Sequence, residues 1–453
     1  MTSVSNPIRH PDVGSPQVMT RRAWWLVVLN FLIPGSAQVL AGNRRLGRFG
    51  LGASLAFVAL AAVVGVSYLL WPTMVLTVFT STVGLWLAAA VLAFYALVWF
   101  ILTLDTLRLV RLVRAVPRAR PVIAGIATLL MFTVTGVAGY GAYVATTASG
   151  FLSSVFVAGP TEPPVDGRYN ILLLGGDAGP DRDGLRPDSI SVVSIDAESG
   201  EATIIGLPRD LVNFPFPDGS PLHAAYPNGY GEEIDGCDVS VCQLNSVFTE
   251  VELKSPEMYP NAAAEGSSPG IEATRDAAQG ITGLTIQYYV LIDIQGFSDL
   301  IDALGGVEIT VEERLPIGGD ENLDFVEGWI EPGKQHMNGY TATWYARSRH
   351  TTDDYDRMER QRQLQEAILK QFNPANVLTK FQGVAAAGAQ VIKTDVPQGM
   401  LGYFSGLASK TRELPINRVE LAPPTVDPTD PDYEQIRELI GAALAPEPSA
   451  TPE

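Results

Sequence analysis

Five arginines are concentrated in one short stretch of the chain, HMNGYTATWYARSRHTTDDYDRMERQRQ, which runs from His336 to Gln363. They are Arg347, Arg349, Arg357, Arg360 and Arg362. Residues 347–349 have the pattern of an extended segment, in which side chains at positions i and i+2 point the same way. Guanidinium groups bind phosphate oxygens two at a time, which ammonium groups do not do. The stretch is therefore typical either of an anion site or of a solvated helix face with Glu/Arg pairs.

The second half of this stretch, from Tyr355 onwards, predicts a helix. On that helix Arg357, Arg360 and Gln361 are spaced i, i+3 and i+4, so they share one face. Two arginines of the extended segment can then face two arginines and an amide of the helix. Arg362 lies about 100° further round the helix than Gln361. We therefore expect Arg362 to lie outside the anion site and its replacement by alanine to have a mild effect.

Acidic side chains stand at the ends of predicted strands elsewhere in the C-terminal half. Asp177 follows one strand, and Asp188 precedes the next with Arg186 close by. Arg209 and Asp210 follow a third strand in the segment LPRD. Carboxylates at strand ends in a Gly-rich loop suit a hard cation such as Mg²⁺; ordinary loop acids are the alternative. A cation together with several arginines describes a diphosphate site, where charge is neutralised during phosphoryl transfer.

Two other catalytic signatures are not supported. No H-E-x-x-H motif occurs, and the chain has only 4 His, which argues against a zinc peptidase of that class. The segment GWIEPGKQ, residues 328–335, is similar to a Walker A loop but has Gln335 where Ser or Thr must bind Mg²⁺.

The segments that carry the candidate residues alternate between strand and helix patterns. YNILLLGG is a continuous apolar run ended by Gly-Gly, which predicts a strand buried on both faces. Strands are predicted at residues 169–176, 189–196, 201–208, 288–294 and 307–313. Helices are predicted at residues 271–284, 296–306, 339–346, 356–372, 375–392 and 398–412, and a last one begins near Asp430 or Asp432. This alternation predicts an α/β domain whose central sheet is covered on both faces.

Charge and hydropathy divide the chain into two parts. The chain has 453 residues, of which 47% are hydrophobic and 18% charged, and its formal net charge is −18. Residues 1–158 contain 11 Arg, no Lys and only two acids, Asp12 and Asp105. The remainder is strongly acidic, which argues against nucleic acid as its partner.

Three apolar segments in the first part have roughly the 20 residues that a helix needs to cross a bilayer. They are residues 49–71, 83–104 and 121–145, and none has a charge inside it. Three in a row favour membrane helices over buried core helices, and they extend too far for a cleaved signal peptide. Arginines cluster before the first segment and between the second and third, whereas residues 72–82 carry no charge. By the positive-inside rule, the last helix leaves the chain outside the cell.

A further apolar segment, WWLVVLNFLIPGSAQVLAG at residues 24–42, is interrupted by Pro34-Gly35-Ser36. We interpret it as a re-entrant or interfacial hairpin; a fourth span with an external N-terminus is the alternative. The whole organisation is then a cytoplasmic tail (1–22), a membrane region (23–147), a linker (148–168), an extracellular catalytic domain (169–445) and a disordered tail (446–453). We therefore predict a multi-pass protein of the cell membrane.

The 2 cysteines, Cys237 and Cys242, lie in the segment DGCDVSVCQ. Outside the cell a pair can oxidise, so we expect a disulfide that closes this loop. Two free thiols are the alternative, and a metal site from two cysteines alone is weaker still. A loop this short adds on the order of a few kcal/mol of stability by the chain-entropy estimate. Loss of the disulfide is thus expected to lower the melting temperature and leave activity largely intact.

Four ordered motifs of the C-terminal half resemble the LytR–CpsA–Psr family of bacterial cell-wall proteins. They are RPDSISVVSID…GEATIIGLPRDL, LIDIQGFSDLIDALGGVEITVEE, GKQHMNGYTATWYARSR and DDYDRMERQRQL. The similarity runs from about Tyr169 to Phe372, with weaker agreement to about Leu444. It implies an extracellular α-β-α domain with a central mixed sheet, and a membrane anchor before such a domain also fits the family.

The resemblance also implies an activity. Members of this family are regarded as phosphotransferases that move a glycopolymer from a polyprenyl-pyrophosphate carrier onto peptidoglycan. The polymer would be a teichoic acid, a capsule or an arabinogalactan, the cofactor Mg²⁺ or else Mn²⁺, and the partners peptidoglycan, the lipid-linked glycopolymer and the membrane. A hydrolase of polyprenyl pyrophosphate and a non-enzymatic, membrane-bound regulator of the cell envelope are the alternatives.

The family's functional residues can be carried over by motif. The resemblance assigns Mg²⁺ to Asp177 and Asp188. We expect Asp210 or Asp177 to be the base for the attacking hydroxyl. It assigns the pyrophosphate to Arg186, Arg209, Arg347, Arg349, Arg357 and Gln361, with Arg360 in support. The sequence departs from the usual pattern at Ser189, where Thr is usual, and at Asp356, where Gly is usual.

The arginine distribution makes a testable prediction about topology. A cysteine in place of Gly159 is expected to react with an impermeant thiol reagent on intact cells, whereas one in place of Arg114 is not. Permeabilised cells, in which both react, are the control. The reverse labelling pattern would remove the extracellular site and most of the functional expectation with it.

Overall fold

The computed structural model of the chain describes residues 8–157, 159–177, 186–231, 236–319, 323–348, 354–371 and 392–445. The helix predicted at residues 375–392 falls almost wholly outside these ranges, as does the tail predicted to be disordered at 446–453. The chain divides into two compact units, Met1–Gly150 and Phe151–Glu453.

The longer elements of the N-terminal unit are all α-helices. These are α1 (Pro16–Leu32), α2 (Ser36–Ala41), α3 (Arg44–Leu70), α4 (Pro72–Thr80), α5 (Thr82–Val110) and α6 (Arg120–Val155), of which α6 continues into the second unit. Three of the helices are long and apolar enough to cross a membrane, and they correspond to the three predicted segments. Large apolar side chains such as Leu69 and Val83, which are 80% and 70% exposed, would then face lipid.

The segment at residues 24–42 forms two helices rather than one. α1 ends at Leu32, and Gly35 adopts a left-handed conformation (φ +95°) before α2 begins. Both helices are bound to α5 through buried amides: Asn30 Nδ2 donates to Thr103 Oγ1 at 3.1 Å, and Gln38 Nε2 donates to the Leu102 carbonyl at 2.7 Å. This helix–turn–helix shape is compatible with a re-entrant hairpin, which stays a prediction.

The second unit is built on a mixed sheet with smaller strand pairs beside it. The described strands are β1 (Arg168–Asp177), β2 (Arg186–Asp196), β3 (Ala202–Leu207), β4 (Tyr288–Asp293), β5 (Val307–Val311), β6 (Leu315–Gly318), β7 (Val326–Ile330), β8 (Gly333–Met337), β9 (Ile392–Thr394) and β10 (Ile416–Glu420). The large sheet has six strands in the order β10-β3-β2-β1-β4-β9. β1 pairs antiparallel with β2 and parallel with β4, so the predicted mixed sheet is confirmed.

Helices cover both faces of this sheet. They are α7 (Pro221–Ala225), α8 (Leu244–Lys254), α9 (Pro269–Thr282), α10 (Ile294–Leu304), α11 (Gly339–Arg347), α12 (Asp354–Gln371), α13 (Leu401–Thr411) and α14 (Tyr433–Leu444). Successive residues of β1 face opposite sides. Leu174 shares a core with Val247 of α8 and Ile436 of α14, whereas Leu173 packs with Leu369 of α12. The predicted α-β-α arrangement is confirmed, although α7, α8 and β6 to β10 are not among the predicted elements.

A buried ion pair fixes α12 to the sheet. The Arg362 side chain is 3% exposed and is paired with Glu420 on β10. Burial lowers the pKa of Arg362 to about 10. The spacing argument correctly turns Arg362 away from Gln361, but that direction is the underside of the helix, where β3 and β10 lie, and not the solvent. A mild effect of its replacement is therefore no longer expected.

Replacing Arg362 by alanine is expected to lower the free energy of unfolding by about 2 kcal/mol. This is less than the 3–5 kcal/mol typical of breaking a fully buried pair, because Glu420 keeps a side-chain exposure of 38%. Lys370→Ala on the same helix, where the lysine side chain is 44% exposed and paired with Glu366, is the control and should cost less than about 0.5 kcal/mol. Chemical denaturation measures both, and equal losses would contradict the assignment.

Candidate functional site

The candidate residues converge because three neighbouring strands begin or end at one edge of the sheet. β1 ends at Asp177, which is paired with Arg186 at the start of β2. A β-bulge after Gly175 shifts the register of the remaining β1–β2 pairs. On the other side of β1, Gly176 is paired with Asp293 at the end of β4. The backbone thus brings the predicted loop ends together. The side chains of Asp177 and Arg186, and the whole of Arg349, lie outside what the structure describes.

A cavity with a volume of about 490 Å³ opens at this edge and extends between the sheet and helices α10, α11 and α12. Its polar wall is formed by Asp188, Ser189, Asp293, Arg347, Arg357 and Gln361. Its apolar wall includes Leu173, Val290, Phe297, Leu300, Ile368 and Leu369. The charged groups therefore lie near the strand ends, and most of the remaining wall is hydrocarbon, with Thr343 and Gln365 as further polar groups.

Arg209 meets Asp188 at the polar end. Arg209 lies in the turn after β3, and its Nη1 donates to Asp188 Oδ1 at 2.6 Å. The two side chains are only 26% and 32% exposed, so the pair is partly shielded from water. A charge-assisted bond of this kind holds the carboxylate in one orientation. The two predicted residues, which are 21 positions apart in sequence, are thus brought into direct contact.

Arg347, Arg357 and Gln361 are brought together by the packing of α11 against α12. Arg347 belongs to the last turn of α11 and not to an extended segment, and its guanidinium carbon lies 5.9 Å from the centre of the Trp344 ring. Arg357 is 3% exposed and Gln361 Nε2 donates to the Ala346 carbonyl at 3.2 Å. Both lie in the cavity wall. The anion-site interpretation is favoured over a solvated helix face, because these groups face a cavity.

Arg360 has a different place from the one predicted for a substrate-binding residue. Its Nε donates to the Tyr345 carbonyl at 3.1 Å and its Nη2 to the Ser348 carbonyl. Burial lowers the pKa of this guanidinium. In the described part of the chain Arg360 contributes no wall to the cavity. It supports the site instead by tying the C-terminus of α11, where carbonyls lack helical partners, to α12.

Asp210 lies beside Arg209 with its two oxygens in different surroundings. Oδ2 accepts a hydrogen bond from the Tyr355 hydroxyl at 3.4 Å. Oδ1 is buried and has no hydrogen-bond partner within the described residues. A buried carboxylate oxygen without a partner is costly, so a hydrogen-bond donor is expected at this position.

Tyr355 and Asp293 are the functional candidates that sequence reasoning missed. Tyr355 lies in the first turn of α12 and reaches Asp210 across the site. Asp293 caps α10, its carboxylate accepting from Gly296 N at 2.6 Å, and also lines the cavity. An Asp between an apolar run and a helical pattern is a capping signal that could have identified Asp293. For Tyr355 the sequence offers no comparable signal, because its partner is distant in the chain.

The predicted magnesium site is described only in part, because the side chain of Asp177 lies outside the described residues. Among the described residues, no group of three or more His, Cys, Asp and Glu side chains is arranged to hold a metal ion. Asp188 and the backbone of Asp177 nevertheless stand on paired strands at the same edge. Carboxylate oxygens are the donors that Mg²⁺ prefers, so the assignment of Asp177 and Asp188 as ligands stays a prediction.

The predicted disulfide is confirmed. Cys237 and Cys242 are bonded, with their Cα atoms 5.6 Å apart. Cys242 is 4% exposed and belongs to the core that also contains Leu211 and Leu244. The loop closed by the disulfide therefore packs directly behind the turn that carries Arg209.

Comparison with known proteins gives partial matches of low identity. Biofilm regulatory protein A of Streptococcus mutans is 25% identical over 253 residues, which is 53% of this chain and 54% of that protein. Cell wall biosynthesis protein LcpA of Corynebacterium glutamicum is 26% identical over 51% of this chain and 45% of its own length. The polyisoprenyl-teichoic acid–peptidoglycan teichoic acid transferase TagV of Bacillus subtilis is 28% identical over 32% of this chain and 38% of its own. The chain thus spans about half the length, or less, of these curated relatives.

A solved structure and a family description also match the chain. The crystal structure of Bacillus subtilis TagV is 19% identical, with a TM-score of 0.42 and coverage of 62% of this chain and 96% of that one. The family description LytR_cpsA_psr matches residues 158–427, which is more than half of the chain and contains every described residue of the site. The chain therefore belongs to the LytR_cpsA_psr family.

Proposed function

We propose that the protein is a phosphotransferase that moves a glycopolymer from a polyprenyl-pyrophosphate carrier onto peptidoglycan. The observation that carries this proposal is the cavity itself, which joins arginines and carboxylates near the strand ends to a wall that is mostly hydrocarbon. A lipid pyrophosphate has the same division into a charged head and an apolar tail. The relatives point the same way, since TagV is named a transferase of teichoic acid from a polyisoprenyl carrier to peptidoglycan.

The apolar part of the cavity suits a prenyl tail better than a sugar. Its wall is built from Leu, Ile, Val and Phe side chains. Burial of hydrocarbon contributes about 0.8 kcal/mol for each CH₂ group, whereas a buried sugar hydroxyl without a partner would cost about 1–3 kcal/mol. The tail therefore gains most by entering, and the glycan is left at the polar mouth. This orientation brings the pyrophosphate beside Arg347, Arg357 and Gln361.

The arginines stabilise the charge that develops on the phosphoryl group. The hydroxyl of a peptidoglycan sugar attacks the phosphorus nearest the glycopolymer, and the bond from that phosphorus to the polyprenyl-phosphate oxygen breaks. Polyprenyl phosphate leaves and a phosphodiester remains. Guanidinium groups fixed before the reaction stabilise the spreading negative charge without reorganising. Arg209 is held by Asp188 and Arg357 by its burial, so both are preorganised in this sense.

Asp210 is the better candidate for the base that accepts the hydroxyl proton. Its Oδ2 is held by Tyr355, while its buried Oδ1 has no partner among the described residues. A general base must be within hydrogen-bond reach of the proton that it removes, and Oδ1 is available for such a contact. Asp177 stays the alternative. Asp177 and Asp188 would hold Mg²⁺, or else Mn²⁺, which when bound would neutralise phosphate charge.

The cellular setting follows from the N-terminal helices. Three helices long enough to cross a membrane precede the site-bearing unit, which supports a multi-pass membrane protein with an extracellular catalytic domain. The polymer is a wall glycopolymer of the teichoic acid, capsule or arabinogalactan type. Hydrolysis of the polyprenyl pyrophosphate uses the same residues with water as the acceptor. Product analysis separates the two, because transfer yields a peptidoglycan-linked phosphodiester and hydrolysis yields free polymer phosphate.

A regulator without catalysis is the third possibility, because one relative is named Biofilm regulatory protein A. It would require no metal ligand and no base. If an Asp188→Asn variant kept the cellular function of the wild-type protein, the regulator would be favoured over the transferase.

Arg357→Ala is expected to reduce polymer transfer by about 10- to 1,000-fold, on the scale of removing one transition-state donor. Arg357→Lys should rescue poorly, because an ammonium group cannot reproduce the forked contact. The measurement is ligation of a lipid-linked glycan to peptidoglycan fragments by the full-length protein with Mg²⁺ present, together with a thermal melt. Arg314→Ala, at a residue whose side chain is 52% exposed on the surface, is the control and should transfer normally. Equal activity of the two alanine variants would restore the solvated-helix interpretation.

Asp210→Asn is expected to lower kcat by about 100-fold or more, the range of general-base catalysis, with little change in KM. Tyr355→Phe, which removes only the hydroxyl that holds Oδ2, should lower kcat by about three- to tenfold. Tyr340→Phe is the matched control, because it removes an exposed tyrosine hydroxyl bonded to Glu327. An Asp210→Asn variant with wild-type kcat would transfer the role of base to Asp177.

A further inference from the structure

The turn that carries Arg209 is held from behind by the first residues of α8. Leu244 N donates to the Leu211 carbonyl and Asn245 N donates to the Arg209 carbonyl, both at 3.0 Å. The first N–H groups of a helix have no partner within the helix. Here they are satisfied by the carbonyls on either side of Asp210. The position of the Arg209 backbone is therefore set by the start of α8.

The disulfide lies next to the start of α8. Cys242 lies two residues before Leu244 and is buried in the same core as Leu244 and Leu211. The backbone N–H that follows Cys237 is also fixed to α8, because Asp238 N donates to Glu250 Oε1 at 3.3 Å. Glu250 is itself 4% exposed, and its other oxygen accepts from the Tyr230 hydroxyl at 2.5 Å. The loop 237–242 is thus attached to α8 at its beginning through Glu250 and at its end through the chain.

We infer that the Cys237–Cys242 disulfide is a positioning element for Arg209. The bond restricts residues 243–245, these residues hold the Arg209–Leu211 turn, and the turn directs the guanidinium onto Asp188. The inference rests on the proposed function for its effect on turnover, but its structural part does not. The inference differs from the expectation from sequence, in which loss of the disulfide leaves activity largely intact.

The structural part is tested by hydrogen–deuterium exchange of the full-length protein in detergent. The Cys237→Ser/Cys242→Ser variant is expected to exchange at least about tenfold faster at Leu244 and Asn245, the two amides that donate to the turn. Asn170→Ala is the matched control, because it removes a buried side-chain bond to the Thr285 carbonyl near the beginning of β1, at the far end of that strand from the site. The control should melt at a lower temperature and leave those two amides unchanged. Unchanged exchange in the serine variant would overturn the inference, whether or not the protein transfers polymer.

The catalytic part is tested by ligation kinetics. Loss of the disulfide is expected to lower kcat/KM about tenfold in the otherwise native chain and less than about twofold in an Arg209→Ala chain, since residues that act through one another are not additive. A similar loss in both chains would mean a general effect of stability and would overturn the inference. A wild-type protein that yields only free polymer phosphate would contradict the proposed transfer while leaving the exchange result to decide the positioning role.

Discussion

The pairing of β1 with β2 on one side and β4 on the other is the constraint on which the site depends. Antiparallel pairing returns the chain from Asp177 to Arg186, and parallel pairing brings Asp293 level with Gly176. Any change of register by one residue would turn each inward side chain to the opposite face. Such a change would exchange Leu174, which is buried in one core, with Leu173, which is partly buried against another and lines the cavity, so it would disrupt the packing on both faces. Core packing thus fixes where the charged residues stand.

α12 distributes its charged residues over three directions, each with a separate task. Arg357 faces the cavity, Arg360 holds the end of α11, and Arg362 is paired with Glu420 beneath the helix. Burial of a guanidinium is costly, and the lowered pKa values of Arg360 and Arg362 reflect that cost. Hydrogen bonds to carbonyls and a carboxylate offset it. The contacts of Arg360 and Arg362 hold α12 in place, and they thereby hold Arg357 at the cavity.

Two adjacent residues of the site, Arg209 and Asp210, differ in how their side chains are held. Arg209 is bonded to Asp188, and its backbone carbonyl accepts from α8, which begins two residues after the disulfide-bonded Cys242. Asp210 next to it has one oxygen held by Tyr355 and the other left without a partner among the described residues. The two residues therefore differ in their contacts, although they are adjacent in sequence.

The sequence by itself determined those features that have a local pattern. A continuous apolar run ended by Gly-Gly predicts β1, the i, i+3, i+4 spacing predicts a shared face for Arg357 and Gln361, and long uncharged segments predict the membrane helices. These patterns arise because the periods of strands and helices are imposed on neighbouring residues. The disulfide between Cys237 and Cys242 was also predictable, because the two residues are close in the chain.

Only the tertiary structure decided which surfaces those patterns meet. The segment LNSVFTEVELK has the helical spacing Leu244, Val247, Phe248 and Val251, which was not used as a prediction, but only the fold shows that α8 packs against the sheet and holds the Arg209 turn. Arg362 is charged, yet it is buried beneath α12, because it is paired with Glu420 on a strand 58 residues further along the chain. Tyr355 reaches Asp210 across 145 positions. Such contacts depend on how separate elements pack, and no local period records the partner that a side chain finds across the fold.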